Sequence, residues 1–261
     1  MHSDYVEFAI DWVPRQGSAL SAFGAGWTGW CADRGVRSDL PEYRRMRRGR
    51  VEMPGKTALR GLHAALKGPF RLARDQTVWS LDHELITLAQ SLPAVRLPRF
   101  EVTVFDGQVV LSLSRPSRSI LRLTRYIDEL VRPLQEGPRY KAYSGEDTVA
   151  GISIPGMQAW TDFAATSVER FLVPLGDRME LELAFDMADS IGPQLSGVLD
   201  EPQFMSEIAL VGNPGQGRPW RVIERYPLAE EPMRSGVNTP AGMACKGPQL
   251  FEPLEAGMAF V

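Results

Sequence analysis

Histidine is scarce in this chain: His2, His63 and His83 are the only three in 261 residues. Cysteine is scarcer, with Cys31 and Cys245 far apart and no CxxC pair. Two thiols and three scattered imidazoles do not close a tetrahedral set, which excludes a usual structural zinc site. Two free thiols fit a cytoplasmic protein, and cytoplasmic is the expected location. No apolar run is long enough to span a bilayer, so no transmembrane helix is expected and no membrane partner. The first residues lack a basic start followed by an apolar core, so no secretory signal is expected. Charge of one sign is also missing. The net charge of −3 gives no global electrostatic case for nucleic acid binding.

What is present describes an ordinary globular chain, 44% apolar and 23% charged. The length suits one large domain or two small lobes. Residues 5–13 read as a first strand ended by Pro14. Residues 18–30 read as a helix capped by Ser18, with Gly24, Gly26 and Gly29 allowing close packing. Residues 34–56 are polar and carry Arg44, Arg45, Arg47, Arg48 and Arg50. A solvated face explains such a run, and an anion-steering rim is the sharper alternative. Residues 60–66 read as a strand and 79–92 as an amphipathic helix with His83 on its surface. Phe100–Phe105, the Asp106-Gly107 turn and Val109–Leu113 give a hairpin signal.

A second round follows. Residues 119–134 and 179–199 have helical spacing, and 158–167 suit a further helix. Residues 170–175 form a short apolar run. Residues 206–211 and 220–225 form a hairpin around a glycine-rich loop, which lacks the Gly-Lys-Ser/Thr ending of a phosphate-binding loop. The expected fold is therefore α+β: a two-lobed duplication of antiparallel sheets with helices on the outside. Residues 1–115 form the expected N-terminal lobe, 116–228 the C-terminal lobe and 229–261 a Pro/Gly/Met-rich tail.

The segment Gly61-Leu62-His63-Ala64-Ala65-Leu66-Lys67-Gly68-Pro69-Phe70-Arg71-Leu72 puts the one histidine of an apolar run beside a lysine and an arginine. An imidazole placed there needs a partner, or burial costs free energy. With Phe8-Ala9-Ile10-Asp11-Trp12-Val13-Pro14 and Ala22-Phe23-Gly24-Ala25-Gly26-Trp27, this segment resembles a bacterial family linked to phosphonate-utilisation gene clusters. That family belongs to the 2H phosphoesterase superfamily, with the cyclic phosphodiesterases and 2′–5′ RNA ligases. The resemblance spans about residues 5–228. It implies a duplicated 2H fold, a metal-independent scheme without cofactor, and two histidines facing each other across a groove. One would act as general base and the other as general acid on a phosphodiester. A hydroxyl two positions after each histidine would lie on the same strand face and hold the phosphate.

The chain departs from that pattern. His63 stands at the first histidine position, but Ala65 replaces the hydroxyl residue. The second motif aligns with Phe171-Leu172-Val173-Pro174-Leu175-Gly176, so Leu172 replaces the histidine and Pro174 the hydroxyl. The second half contains no histidine. Asp11 stands where relatives tend to carry tyrosine. The expectation is a degenerate member, a pseudoenzyme that binds a nucleotide or phosphorylated small molecule in the groove. Lys67, Arg71, Arg60 and Asp11 are its candidate contacts. One alternative is an active cyclic phosphodiesterase using His63 with Asp11 or Asp177. Another is an interaction or assembly module using the tail and Trp27, Trp30 or Trp220, although core packing is the better reading of Trp27.

Overall fold

The computed structural model describes residues 5–38, 57, 59–136 and 170–229. The arginine run at 44–50, the expected helix at 158–167 and the tail beyond 229 lie outside these residues. The chain divides into Met1–Glu231 and Pro232–Val261, and only the first unit is described below.

The fold is α+β, built on antiparallel sheets. Four strands pair in the order β11 (Arg221–Pro227), β10 (Glu207–Asn213), β1 (Glu7–Trp12), β4 (Ala64–Phe70). A second sheet orders β6 (Phe100–Phe105), β7 (Gln108–Leu113) and β8 (Val173–Pro174). Two short ribbons pair β2 (Trp30–Cys31) with β3 (Val36–Arg37), and β5 (Val95–Arg96) with β9 (Phe204–Met205).

The strands do not divide at residue 115. The four-stranded sheet takes β1 and β4 from one end of the chain and β10 and β11 from the other. The reason lies in β1. Phe8 to Val13 is buried, so the backbone N–H and C=O groups of β1 cannot be left to solvent and a strand pairs along each edge. The apolar run Ile208–Val211 supplies one of them, with Ala9 opposite Val211 and Asp11 opposite Ala209. Each of the two larger sheets draws strands from both sides of residue 115.

Four helices are described: α1 (Ala19–Thr28), α2 (Val78–Ser91), α3 (Arg118–Val131) and α4 (Leu181–Leu199). Ser18 caps α1 through a side-chain bond from the Ser21 N–H. Thr77 and Ser117 cap α2 and α3 in the same way. Helix α4 starts at Leu181, two residues later than the spacing suggests, and carries Pro193 internally. Helix α3 packs on β4, α4 on β6 and β7, and α2 on β11. None of these helices is long and apolar enough to cross a membrane.

One core joins the two sheets. Trp12 of β1 meets Phe100 of β6 and Phe171 just before β8, each at 5.6 Å between ring centroids. Trp27 is core, as expected, and its indole N–H donates to the Leu175 carbonyl at 2.5 Å. Gly24 permits the approach of α1 to Leu62, where an added Cβ would stand 2.6 Å from the leucine Cβ. That contact fixes the chain one residue before His63.

Candidate functional site

The expected strand at 60–66 begins later than the pattern suggests. Residues 59 and 60 turn, Gly61 takes a left-handed φ of 74°, and β4 starts only at Ala64. His63 therefore lies on the lead-in to β4. The turn aims the Gly61 carbonyl at the imidazole, 2.9 Å from Nδ1. Nδ1 carries the proton and donates it to that carbonyl, which leaves Nε2 as the lone-pair nitrogen. His63 is 6% exposed. Burial, reinforced by the nearby Arg60 charge, pushes its pKa down to about 3. The ring is neutral at every physiological pH.

Beside it lies a buried ion pair. Arg60 donates from Nε to Asp11 Oδ2 at 3.1 Å and from Nη2 to Asp11 Oδ1 at 2.7 Å. Both side chains are nearly inaccessible, at 8% and 1% exposure. The guanidinium stacks on Trp220, 4.5 Å from the ring centroid. Trp220 is itself held, because its backbone N–H donates to the Leu59 carbonyl at 2.7 Å and its carbonyl accepts from Trp30 Nε1 at 2.8 Å. Burial raises the Asp11 pKa to about 6, against the lowering effect of Arg60.

Strand register extends the site. Ala65, Asp11, Ala209 and Arg225 stand opposite one another across β4, β1, β10 and β11. Arg225 is committed to Asp33 at 2.7 Å, to Glu207 at 2.5 Å and to the Val13 carbonyl at 3.4 Å. On the other sheet Pro174 stands opposite Val110, and Leu172, Val110 and Pro174 are all buried. Gln108 donates to the Gly176 carbonyl, and the Thr57 N–H donates to Asp177 at 3.0 Å.

The seven expected site residues thus separate. Asp11, Arg60 and His63 form one cluster. Lys67 points instead to α3, where it pairs with Asp128. That pairing and Arg132 hold the Asp128 carboxyl below the usual carboxylate range. Arg71, at the far end of β4, meets Glu7 at 3.5 Å and lines a cleft with Tyr5, Gln76 and Trp79. Pro174 lies on the second sheet and Leu172 just before it, and neither side chain has a titratable or hydroxyl group. Among the described residues no three His, Cys, Asp or Glu side chains group closely enough to hold a metal ion. Sequence reasoning missed the Asp11–Arg60 pair. The available signal was the lone carboxylate inside Phe8-Ala9-Ile10-Asp11-Trp12-Val13, which needs a cation once buried.

This arrangement has limited proton-transfer chemistry. A neutral imidazole has no proton to give a leaving group from Nε2. As a base with a conjugate acid near 3, it is poorly matched to neutral pH. Asp11 is engaged by Arg60 and Asp177 by Thr57, so both carboxylates weighed as alternative partners are already bonded.

No curated protein matches the chain in sequence. Among solved structures, the chain is similar to E. coli LigT complexed with 3′-AMP, at 10% identity and a TM-score of 0.41 over 86% of this chain and 99% of that one. The apo form of E. coli LigT gives 11% identity and a TM-score of 0.41, over 86% and 98% of the two chains. A crystal structure of a phosphoesterase gives 12% and 0.40, over 87% and 99%. A family model described as "protein of unknown function (DUF1045)" matches residues 65–221, which run from the second residue of β4 to the first of β11. That match covers more than half of the chain, and the chain belongs to the DUF1045 family.

Proposed function

We propose that this chain is a 2H phosphoesterase-like protein that no longer hydrolyses phosphodiesters and acts by binding a phosphorylated small molecule or nucleotide. The observation that carries the non-hydrolytic half is the state of His63: buried, neutral, and bonded through Nδ1 to Gly61. The residue changes support it. Ala65 and Pro174 cannot hold phosphate oxygens, and Leu172 cannot transfer a proton. Losing one member of an acid–base pair lowers turnover by about 10²–10⁴-fold, and lost phosphate contacts lower it further.

The binding half rests on Arg60 and on the resemblance of the His63 segment to 2H motifs. The Arg60 charge acts on His63, with Asp11 as its internal counter-ion. An incoming phosphodiester has to replace that carboxylate. Protonation of Asp11 releases the guanidinium, so ligand binding gains as pH falls through about 6. A cyclic phosphodiester keeps its single charge over this range, and His63 stays neutral throughout it.

Calorimetry with a 2′,3′-cyclic nucleotide at pH 5 and pH 7.5 tests this reading. The expected result is saturable one-to-one binding, about ten-fold tighter at pH 5, and weakened in Arg60→Gln. A flat titration at low salt, or an affinity indifferent to both pH and Arg60, would sink the groove-binding role.

A further inference from the structure

A different part of the fold collects positive charge without an evident structural purpose. Arg96, Arg99 and Arg115 line one cleft of about 380 Å³, with Leu97 and Pro98 between the first two. The volume falls within the range of about 300–1,000 Å³ typical of small-molecule sites. The cleft shares no lining residue with the His63 cluster.

The backbone beneath it is fixed on both sides. Leu97 is 5% exposed, and its N–H donates to the Gln203 carbonyl at 3.0 Å, continuing the pairing of β5 with β9. The Ser114 N–H donates to the Arg99 carbonyl at 2.8 Å, which ties the chain before Arg115 to the chain carrying Arg99. Pro98 restricts the link between Arg96 and Arg99. A site on such anchored backbone holds its side chains at a set spacing.

The charge balance is what calls for a ligand. The whole chain is acidic, at −3, yet three of the five residues lining this cleft are arginines. Arg99 pairs with Asp200 at 2.7 Å, but both side chains are more than 60% exposed, so the bond is weak and replaceable. Among the described residues no carboxylate pairs with Arg96 or Arg115. Like charges around one cleft repel each other, and a multivalent anion bound among them turns that repulsion into attraction. Arginine forks match phosphate oxygens in pairs.

We propose that the Arg96–Arg99–Arg115 cleft is a binding site for a small multivalent phosphate anion, a phosphate monoester or a diphosphate group. The size of the cleft favours a compact anion over a nucleic acid strand.

Calorimetry of the full chain with sodium pyrophosphate, at low and moderate NaCl, tests this. The expected result is saturable one-to-one binding that weakens with salt. The double variant Arg96→Ala with Arg115→Ala is expected to lose about 100-fold in affinity, from two charge-assisted contacts. Arg125→Ala removes an exposed charge on α3 and is expected to bind as the wild type does. Both sets of side chains are exposed, so circular dichroism should be unchanged. Three outcomes overturn the proposal. Non-saturating binding, or equal loss in Arg125→Ala, would mark a merely solvated patch. Loss in Arg60→Gln with retention in the double variant would place the anion beside His63 instead. A single-stranded oligonucleotide binding far more tightly than pyrophosphate, and lost in the double variant, would make the cleft a nucleic acid contact.

Discussion

Asp11→Ala is expected to be the most destabilising polar substitution in the described fold, at about 3–5 kcal/mol. The substitution removes one partner of an ion pair whose side chains are 1% and 8% exposed and leaves the Arg60 charge buried. Stacking on Trp220 does not replace the two lost hydrogen bonds. In a unit of this size each kcal/mol moves Tm by about 2–4 °C, which gives a fall of about 6–20 °C. Urea unfolding and calorimetric melting both read the effect. The double variant Asp11→Leu with Arg60→Met removes both charges together and is expected to lie within about 2 kcal/mol of wild type. If the single variant loses less than about 1 kcal/mol, the Asp11–Arg60 bond contributes no more than an exposed ion pair does.

The His63 imidazole is expected to titrate near pH 3 instead of its ordinary 6.5. Proton NMR separates it from His2 and His83, with His63→Leu assigning the signal. The shift also fixes how stability depends on pH. A histidine with a depressed folded pKa contributes stability that is fully present above 6.5 and is lost as pH falls towards about 3. The slope is at most about 1.4 kcal/mol per pH unit. Asp11 works in the opposite sense. Its folded pKa of about 6 lies above the ordinary 3.8, so its contribution is present below 3.8 and is lost as pH rises through about 6. The two slopes offset each other between about pH 4 and 6. Removing the imidazole in His63→Leu should expose the Asp11 slope alone, so that this variant becomes less stable as pH rises from 4 to 6. A His63 midpoint near 6.5 would show a solvated ring.

Much of the fold was legible where the signal is local. The Asp106-Gly107 turn, with both φ angles positive, joins β6 and β7 where the hairpin pattern puts them. The hydroxyl of Ser18 caps α1, and the periodicity at Ile120, Leu123 and Ile127 marks the buried stripe of α3. Partnerships across long separations were not legible. Nothing near Glu7–Trp12 says that it lies between Ala64–Phe70 and Glu207–Asn213. The site divides along the same line. That no histidine follows His83 is plain from the sequence. The Asp11–Arg60 bond spans 49 residues and has no local pattern. Strand β4 begins at Ala64, so His63 lies before it, Lys67 within it pairs with Asp128, and Arg71 just past its end meets Glu7.

The most direct test is turnover of a 2′,3′-cyclic nucleotide by the wild-type chain beside His63→Ala, with matched unfolding curves to confirm that both are folded. The account predicts equal rates, at the level of the buffer. Wild-type turnover abolished by His63→Ala would contradict it and make His63 a working acid–base residue.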